Sequence, residues 1–324
     1  MSVVVPCEPG GDPRACLAAL EALPDGERAG VLEVLVASGR NPSRQRNLAV
    51  AQAGGDWVLF LDSDSRAEPG LLRGLLEAAA SPRCAAAGGP NLPLADEGPL
   101  GLRFDAVLAS WAGSMASRAR YTPVGERRLS GEKELILCNL LVRREAFAQA
   151  GGFREDLYPN EENELFNRLQ AAGWELVYEP AARVRRPRRD SVAAFALQSF
   201  RYGRGRSQQM RRNFFPGDLL NLLPLALPLA WAACAGVGAA ASGGAAWLPW
   251  PALAGEAARA LPLAYLGACF LASGLRPSVA LFLALRHHAY AAGLLTGLFQ
   301  DTPPRSPDVQ VERRTLHGPE GRDL

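Results

Sequence analysis

The sequence of 324 residues predicts an α/β fold with a mostly parallel sheet, followed by a group of apolar helices. Three observations predict it. From the N-terminus to about residue 90, short apolar runs alternate with stretches of helical period, the pattern of strands joined by crossover helices. The run Trp57 to Leu61 is continuously apolar, as in a strand buried on both faces. The C-terminal third is crowded with apolar residues, in runs that start at Leu219.

The elements follow in order. Ser2 to Val5 reads as the first strand. Asp12 and Pro13 read as the N-cap and first-turn proline of a helix with Leu17, Leu20 and Leu23 on one face. Val31 to Val36 is a second strand, Ser43 to Ala53 a second helix, Trp57 to Leu61 a third strand, and Pro69 to Ala79 a further helix. Between about residues 90 and 150, glycine, proline and polar residues interrupt every periodic run. That stretch is expected to be loop-rich, with a helix near Arg143 to Ala150. Leu165, Leu169 and Ala172 mark one more helix, and Trp174 to Tyr178 a further strand.

A formal net charge of +2 excludes little, but its distribution is informative. Residues 183 to 212 hold ten arginines and one acid, Asp190, with Phe195, Phe200 and Tyr202 interleaved. Leu219 to Ala241 then runs 23 residues without a charge, long enough to cross a bilayer. Pro224 and Pro228 are unwelcome in a soluble helix but tolerated in membrane helices. Ala260 to Leu275 is marginally long enough, and Ser278 to Phe299 is interrupted by Arg286, His287 and His288. A basic, aromatic-bearing segment leading into a span reads as lying on an anionic cytoplasmic membrane face, with membrane lipids as partners. The adjoining span argues against nucleic acid as the partner of those arginines.

A third full span would leave Arg305, Arg313, Arg314 and Arg322 outside, against the positive-inside tendency. Two spans plus an interfacial or re-entrant third segment are therefore favoured. His287 and His288, being adjacent on a helix, make a poor metal pair, and with Arg286 mark a membrane-interface position or a polar contact within a bundle. The six cysteines have no CxxC pair and read as reduced, mostly buried thiols. The start MSVVVPCEPGG lacks a basic region followed by a long apolar core, so no cleavable signal is expected and the first domain is expected in the cytoplasm.

Asp62 and Asp64 follow the third strand directly, and in open α/β sheets the carboxyl edge is where ligands bind. Acidic residues also cap helices and solvate turns. At this edge, however, a carboxylate pair suits Mg²⁺ or Mn²⁺, which take oxygen ligands and bridge to substrate phosphates.

With those residues in view, SVVVP, NPSRQRNLAVAQAGGDWVLFLDSDS, CNLLVRREAFAQAGGF and NEENELFNRLQAAGWELVYEP follow, in order, a family pattern. Over about residues 2 to 206 the chain resembles the inverting family 2 glycosyltransferases. The resemblance implies a GT-A, Rossmann-like nucleotide-sugar domain over 1–190; the charge and apolarity pattern adds a basic amphipathic interface segment over 191–216, transmembrane helices over 217–300 and a polar tail over 301–324. It implies that Asp62 and Asp64 hold a divalent metal against the donor's diphosphate, with Pro6, Glu8, Arg44 and Asn47 lining the nucleotide side. Glu162 falls where the family's catalytic base is expected, beside Glu161. The bland alternative is an acidic first turn complementing a helix dipole, with Asn160 as cap. Gln198, Arg201 and Tyr202, with Tyr202 in place of Trp, resemble the Gln-x-x-Arg-Trp motif of membrane-bound members, which implies contact with acceptor and diphosphate; the alternative is an ordinary interfacial amphipathic helix. The segment LRHHAYAAGLLTGLF is similar to the membrane part of the succinoglycan-biosynthesis type enzymes.

Three departures from the family pattern stand out. Val36, Ala37, Ser38 and Gly39 stand where many relatives carry an acidic pair for base and ribose. No histidine lies between Asp64 and the basic segment. The expected base is Glu rather than Asp. The resemblance thus implies a metal-dependent inverting transfer from a nucleotide sugar to a lipid-linked or glycan acceptor at the inner membrane, in exopolysaccharide or envelope glycan assembly. The rivals are a processive polysaccharide synthase, for which the membrane segments are few, and a catalytically silent scaffold of the same fold.

Overall fold

In β1 (Ser2–Cys7), Val3 and Val5 join one core cluster and Val4 the other, and all three are fully buried. Side chains alternate across a strand, so this sheet is covered on both faces. The computed structural model describes residues 1–214, 216–241, 249–301 and 305–316. It divides into two compact units, residues 1–188 with the tail that follows 301, and Arg189–Asp301.

In the first unit, α1 (Arg14–Glu21) and the single turn α2 (Asp25–Arg28) lead to β2 (Glu33–Gly39). Then comes α3 (Pro42–Gln52), capped by Asn41, whose side chain accepts from the Arg44 amide at 3.2 Å, with Pro42 in its first turn. β3 (Trp57–Leu61), β4 (Arg66–Ala67), α4 (Leu71–Ala78), β5 (Cys84–Gly88) and β6 (Asn91–Pro93) follow. The stretch expected to be loop-rich holds α5 (Pro99–Leu108), the turn α6 (Trp111–Ser114), β7 (Arg128–Leu129), β8 (Asn139–Arg143) and α7 (Arg144–Gln149). α8 (Glu161–Ala171), β9 (Glu175–Tyr178) and β10 (Val184–Arg186) complete the run. After the second unit, the tail adds β11 (Val309–Arg314).

The large sheet has the order β11-β2-β1-β3-β8-β5-β9-β7, and a small one has the order β4-β10-β6. β1 pairs in parallel with β2 and β3, and β5 with β9. β8 is antiparallel to both β3 and β5, β7 to β9, and β11 to β2. The expected mostly parallel sheet is therefore corrected to a mixed one. The physical reason lies in β8, which enters the middle of the sheet from the segment read as loops, and in the tail, which returns to close the β2 edge. β5 escaped the sequence reading because its CAAAG composition lacks the β-branched and aromatic residues that mark strands; burial between β8 and β9 makes it one. One face of the sheet packs Ala49 and Val50 of α3 and Leu165, Phe166 and Leu169 of α8, the other Leu17 and Leu20 of α1 and Leu71, Leu72 and Leu75 of α4.

The second unit comprises α9 (Val192–Arg212), α10 (Leu223–Ala241), α11 (Pro249–Ala272) and α12 (Pro277–Phe299). Ser191 caps α9, accepting from the Ala194 amide at 3.3 Å. α9 and α12 run side by side in the same direction, as the contacts Phe200 to Gly293, Arg204 to Gly297 and Gln208 to Gln300 advance together. A Cβ at Gly203 or Gly293 would run into the backbone oxygen of Tyr290 or Phe200, so backbone approaches backbone as only glycine allows. Arg206 and Asp218, both buried, form an ion pair at 3.6 Å. His287 pairs with Tyr265 of α11, Nδ1 to Oη at 2.8 Å, a polar contact within the bundle.

By length and composition, among the described residues α12 alone qualifies as a single membrane-crossing helix. Asp218–Ala226 with Pro228–Val237, bent by 41°, qualifies as a broken span or a re-entrant loop. The third apolar segment, expected to be interfacial or re-entrant, is thus the one that forms an unbroken helix of spanning length and apolarity, α12.

Candidate active site

At the carboxyl end of β3 the chain turns sharply. The Ser65 amide donates to the Asp62 carbonyl at 2.9 Å and the Asp62 amide to Ser65 Oγ at 3.2 Å, and Ser65 is fully buried. This turn sets the two aspartates at the ligand edge. Arg186, the last residue of β10, spans both: Nη1 lies 2.8 Å from Asp62, and Nε and Nη2 lie 2.7 and 3.0 Å from the two oxygens of Asp64.

Arg46 of α3 links this pair to the second acidic group. Its Nη2 lies 3.1 Å from Asp62 and its Nη1 3.2 Å from Glu161, the first residue of α8. One guanidinium thus joins the strand end to the helix start. Burial, reinforced by the neighbouring charge of Glu162, raises the Glu161 pKa above the ordinary carboxylate range, while Arg46 pulls it down. Glu161 Oε2 and Arg46 Nε are buried without a hydrogen-bond partner, polar atoms that a ligand can satisfy. Glu162 lies 3.6 Å from Arg120, which also donates to Asn163 Oδ1 at 2.5 Å. Asn160 does not cap this helix as the bland alternative assumed. It sits at φ 87° with no side-chain cap bond, so the start of α8 is set by a left-handed residue.

The other expected donor residues lie nearby along the sheet edge. Pro6 is in β1 and Glu8 follows it, exposed. Arg44 donates to the Pro307 carbonyl at 2.8 Å and pairs with Glu155 at 3.0 Å. Asn47 is engaged with backbone: its Nδ2 donates to the Phe153 carbonyl and its Oδ1 accepts the Phe153 amide, both at 2.9 Å. Gln198, Arg201 and Tyr202 belong to the second unit, where Gln198 donates to Tyr202 Oη at 3.1 Å and Arg201 is exposed. Sequence reasoning missed Arg46, Arg120 and Arg186. Arg46 stands two residues from Arg44 in the same quoted motif, but Arg186 is one of five arginines between 183 and 189 and nothing local distinguishes it.

Asp62 and Asp64 fit a hard divalent cation by donor type, two carboxylates filling part of an oxygen shell that water and phosphate complete. Among the described residues no group of three or more His, Cys, Asp or Glu is placed to hold a metal by protein alone. Their oxygens face Arg186 and Arg46, so a cation held there would have to compete with these guanidiniums for the same carboxylates.

The sequence profile described as glycosyl transferase family group 2 matches residues 57–298. An N-acetylglucosaminyl-diphospho-decaprenol L-rhamnosyltransferase of Mycobacterium tuberculosis is 37% identical over 147 residues, 40% of this chain and 46% of that protein. The succinoglycan biosynthesis protein ExoA of Rhizobium meliloti is 38% identical over 95 residues, 29% of this chain and 28% of that protein. The chain thus spans less than half the length of these curated relatives. A mannosyltransferase of Pyrobaculum calidifontis, PcManGT, solved with GDP-Man and Mn²⁺, superposes with a TM-score of 0.56 at 18% identity. That match covers 92% of this chain and 86% of the other, a likeness of fold.

Proposed function

The chain belongs to glycosyl transferase family group 2 and is a glycosyltransferase, and from that premise we propose a metal-dependent, inverting transfer of a sugar from a nucleotide-sugar donor. Its acceptor is a lipid-linked sugar or glycan at the inner face of the membrane, in exopolysaccharide or envelope glycan assembly. The observation that carries this reading is the Arg46 guanidinium, held by Asp62 on one side and Glu161 on the other. It brings a metal-type carboxylate pair and an acidic helix start to one place on the sheet edge.

In this reading Asp62 and Asp64 would hold Mg²⁺ or Mn²⁺, which when bound neutralises charge on the departing diphosphate. Arg186 and Arg46, displaced from the aspartates, are left beside that diphosphate as further cations. Glu162 takes the proton of the acceptor hydroxyl as its oxygen attacks the anomeric carbon, and Arg120 orients it. The lipid-linked acceptor is supported by the activity for which the mycobacterial relative is named and by the apolar helices of the second unit.

The test is hydrolysis and transfer by detergent-purified protein across a panel of nucleotide sugars, with Mn²⁺ and with excess chelator. Metal-dependent turnover of one donor is the expected result. Turnover untouched by chelator would remove the metal role, and no turnover of any donor would favour the silent scaffold.

A further inference from the structure

β11 pairs antiparallel with β2, Val309 opposite Gly39 and Arg314 opposite Val34. Gly39 ends β2, so the residues just before Val309 lie at the carboxyl edge, the edge that bears Asp62 and Asp64. The sheet order β11-β2-β1-β3 puts three strand spacings, about 14 Å, between the tail and the strand that carries the aspartates.

The lead-in Arg305–Asp308 is built into this edge. Arg305 stacks its guanidinium on the Tyr158 ring, 3.9 Å from the centroid, and donates to the Arg40 carbonyl at 3.2 Å. Arg44 donates to the Pro307 carbonyl, and a Cβ on Gly39 would come within 2.8 Å of the Asp308 carbonyl. Ser306 Oγ donates to the Asp308 carboxylate at 2.9 Å, and Asp308 is exposed. The strand behind it is anchored, with Val309 and Val311 packed on the core and Arg313 2.9 Å from the buried Glu33.

We infer that Arg305–Asp308 forms the nucleoside end of the donor pocket, with Asp308 accepting ribose hydroxyls and the Arg305–Tyr158 stack serving as a platform for the base. This rests on the donor reading above. A nucleoside diphosphate is an extended ligand whose two ends differ in chemistry: a charged diphosphate at one, vicinal hydroxyls and a flat ring at the other. The edge offers the matching sequence, from the carboxylate–guanidinium cluster on β3 to a carboxylate and a stacked plane on the tail. A carboxylate accepts from paired hydroxyls, and bases stack on guanidinium and aromatic planes. Val36–Gly39 carries no acid, and the tail brings a carboxylate, Asp308, beside the end of β2.

Two point variants, Asp308→Asn and Arg305→Ala, leave the strand pairing of β11 intact, and melting temperatures establish that each is folded. Calorimetry measures UDP, GDP, dTDP and ADP binding in Mn²⁺, and inorganic pyrophosphate in Mn²⁺ as a probe that lacks the nucleoside. The preferred nucleotide should weaken by about tenfold in each variant, the scale of one lost charge-assisted contact, with pyrophosphate unchanged. Unchanged nucleotide binding in both variants, while the parent protein binds well, overturns the tail's role and leaves the donor reading standing. Parallel weakening of pyrophosphate also overturns it, since the tail then acts on the whole edge. A parent protein that binds pyrophosphate and no nucleotide overturns the tail's role and the donor reading together.

Discussion

At the scale of the residue, Glu161 and Glu162 are neighbours with different surroundings, and they separate experimentally. Glu162→Gln keeps size and much of the hydrogen bonding but cannot take a proton. As the general base, its loss lowers turnover by roughly 10²-fold or more while donor affinity stays nearly unchanged. A group that only favours a helix N-terminus would cost about 0.3 to 1 kcal/mol of stability and leave turnover intact; near-normal transfer by Glu162→Gln moves the base to another acid. Glu161 carries a pH dependence. Its folded pKa is raised, chiefly by burial, so the folded chain holds the proton more tightly than the unfolded one. Its contribution to stability is full below the ordinary value of 4.5 and is lost as pH rises from there through the folded value. Glu161→Gln is neutral throughout, so its melting temperature should fall less than the parent's as pH rises over that window. Parallel melting curves against pH would contradict a protonated Glu161. Asp64→Asn keeps the shape and removes one charge, so Mn²⁺-dependent nucleotide binding should fall by about tenfold or more, read by calorimetry.

Elements are placed here by what packs against them more than by their own composition. α9 carries Arg201, Arg204, Arg206, Arg211 and Arg212 and would be a poor helix alone in an apolar setting, yet its Gly203 face lies against α12. Ser207 Oγ donates to the Leu294 carbonyl at 2.6 Å and Gln208 Nε2 to the Gln300 carbonyl at 2.7 Å, so the contact is polar as well as close. Gly293→Val places a branched side chain where the Phe200 carbonyl lies. It should destabilise the α9–α12 pair by about 1 to 3 kcal/mol, seen as faster proteolysis within residues 189–301. Unchanged proteolysis would mean the two helices are not held by this seam.

For the whole molecule, the tail constrains any membrane arrangement. The chain leaves the first unit after residue 188 and returns to its sheet as β11, so any membrane lying between is crossed an even number of times. Among the described residues, α12 and the bent pair Asp218–Ala226 with Pro228–Val237 are the segments long and apolar enough, and two crossings by them would satisfy this. With the first unit on the inner face, as proposed, single cysteines at Glu8 and Glu312, in a background where the native cysteines are replaced, should both resist a membrane-impermeant maleimide in intact cells and both react after lysis. Labelling of Glu312→Cys alone in intact cells would place the tail on the opposite face and exclude β11 from the native sheet.

The sequence by itself determined the strand Trp57–Leu61, the acid pair at its end, the helix that begins at Glu161, and the ordered motifs that identify the family. Each of these is a local pattern, readable because continuous apolarity or helical period is written in neighbouring residues. Tertiary structure decided the rest. The five-residue strand at CAAAG has no propensity of its own and exists because two strands enclose it. Arg120 and Arg186 were indistinguishable from the other arginines, and even Arg46, inside a quoted motif, showed no role, since that depends on which carboxylate lies within reach, and those carboxylates come from strands and helices up to 124 residues away. The tail read only as polar because an edge strand buries only half its side chains, and its partner β2 lies some 270 residues earlier in the chain. Contacts at that separation leave no periodic mark in the sequence, and only the folded sheet brings them together.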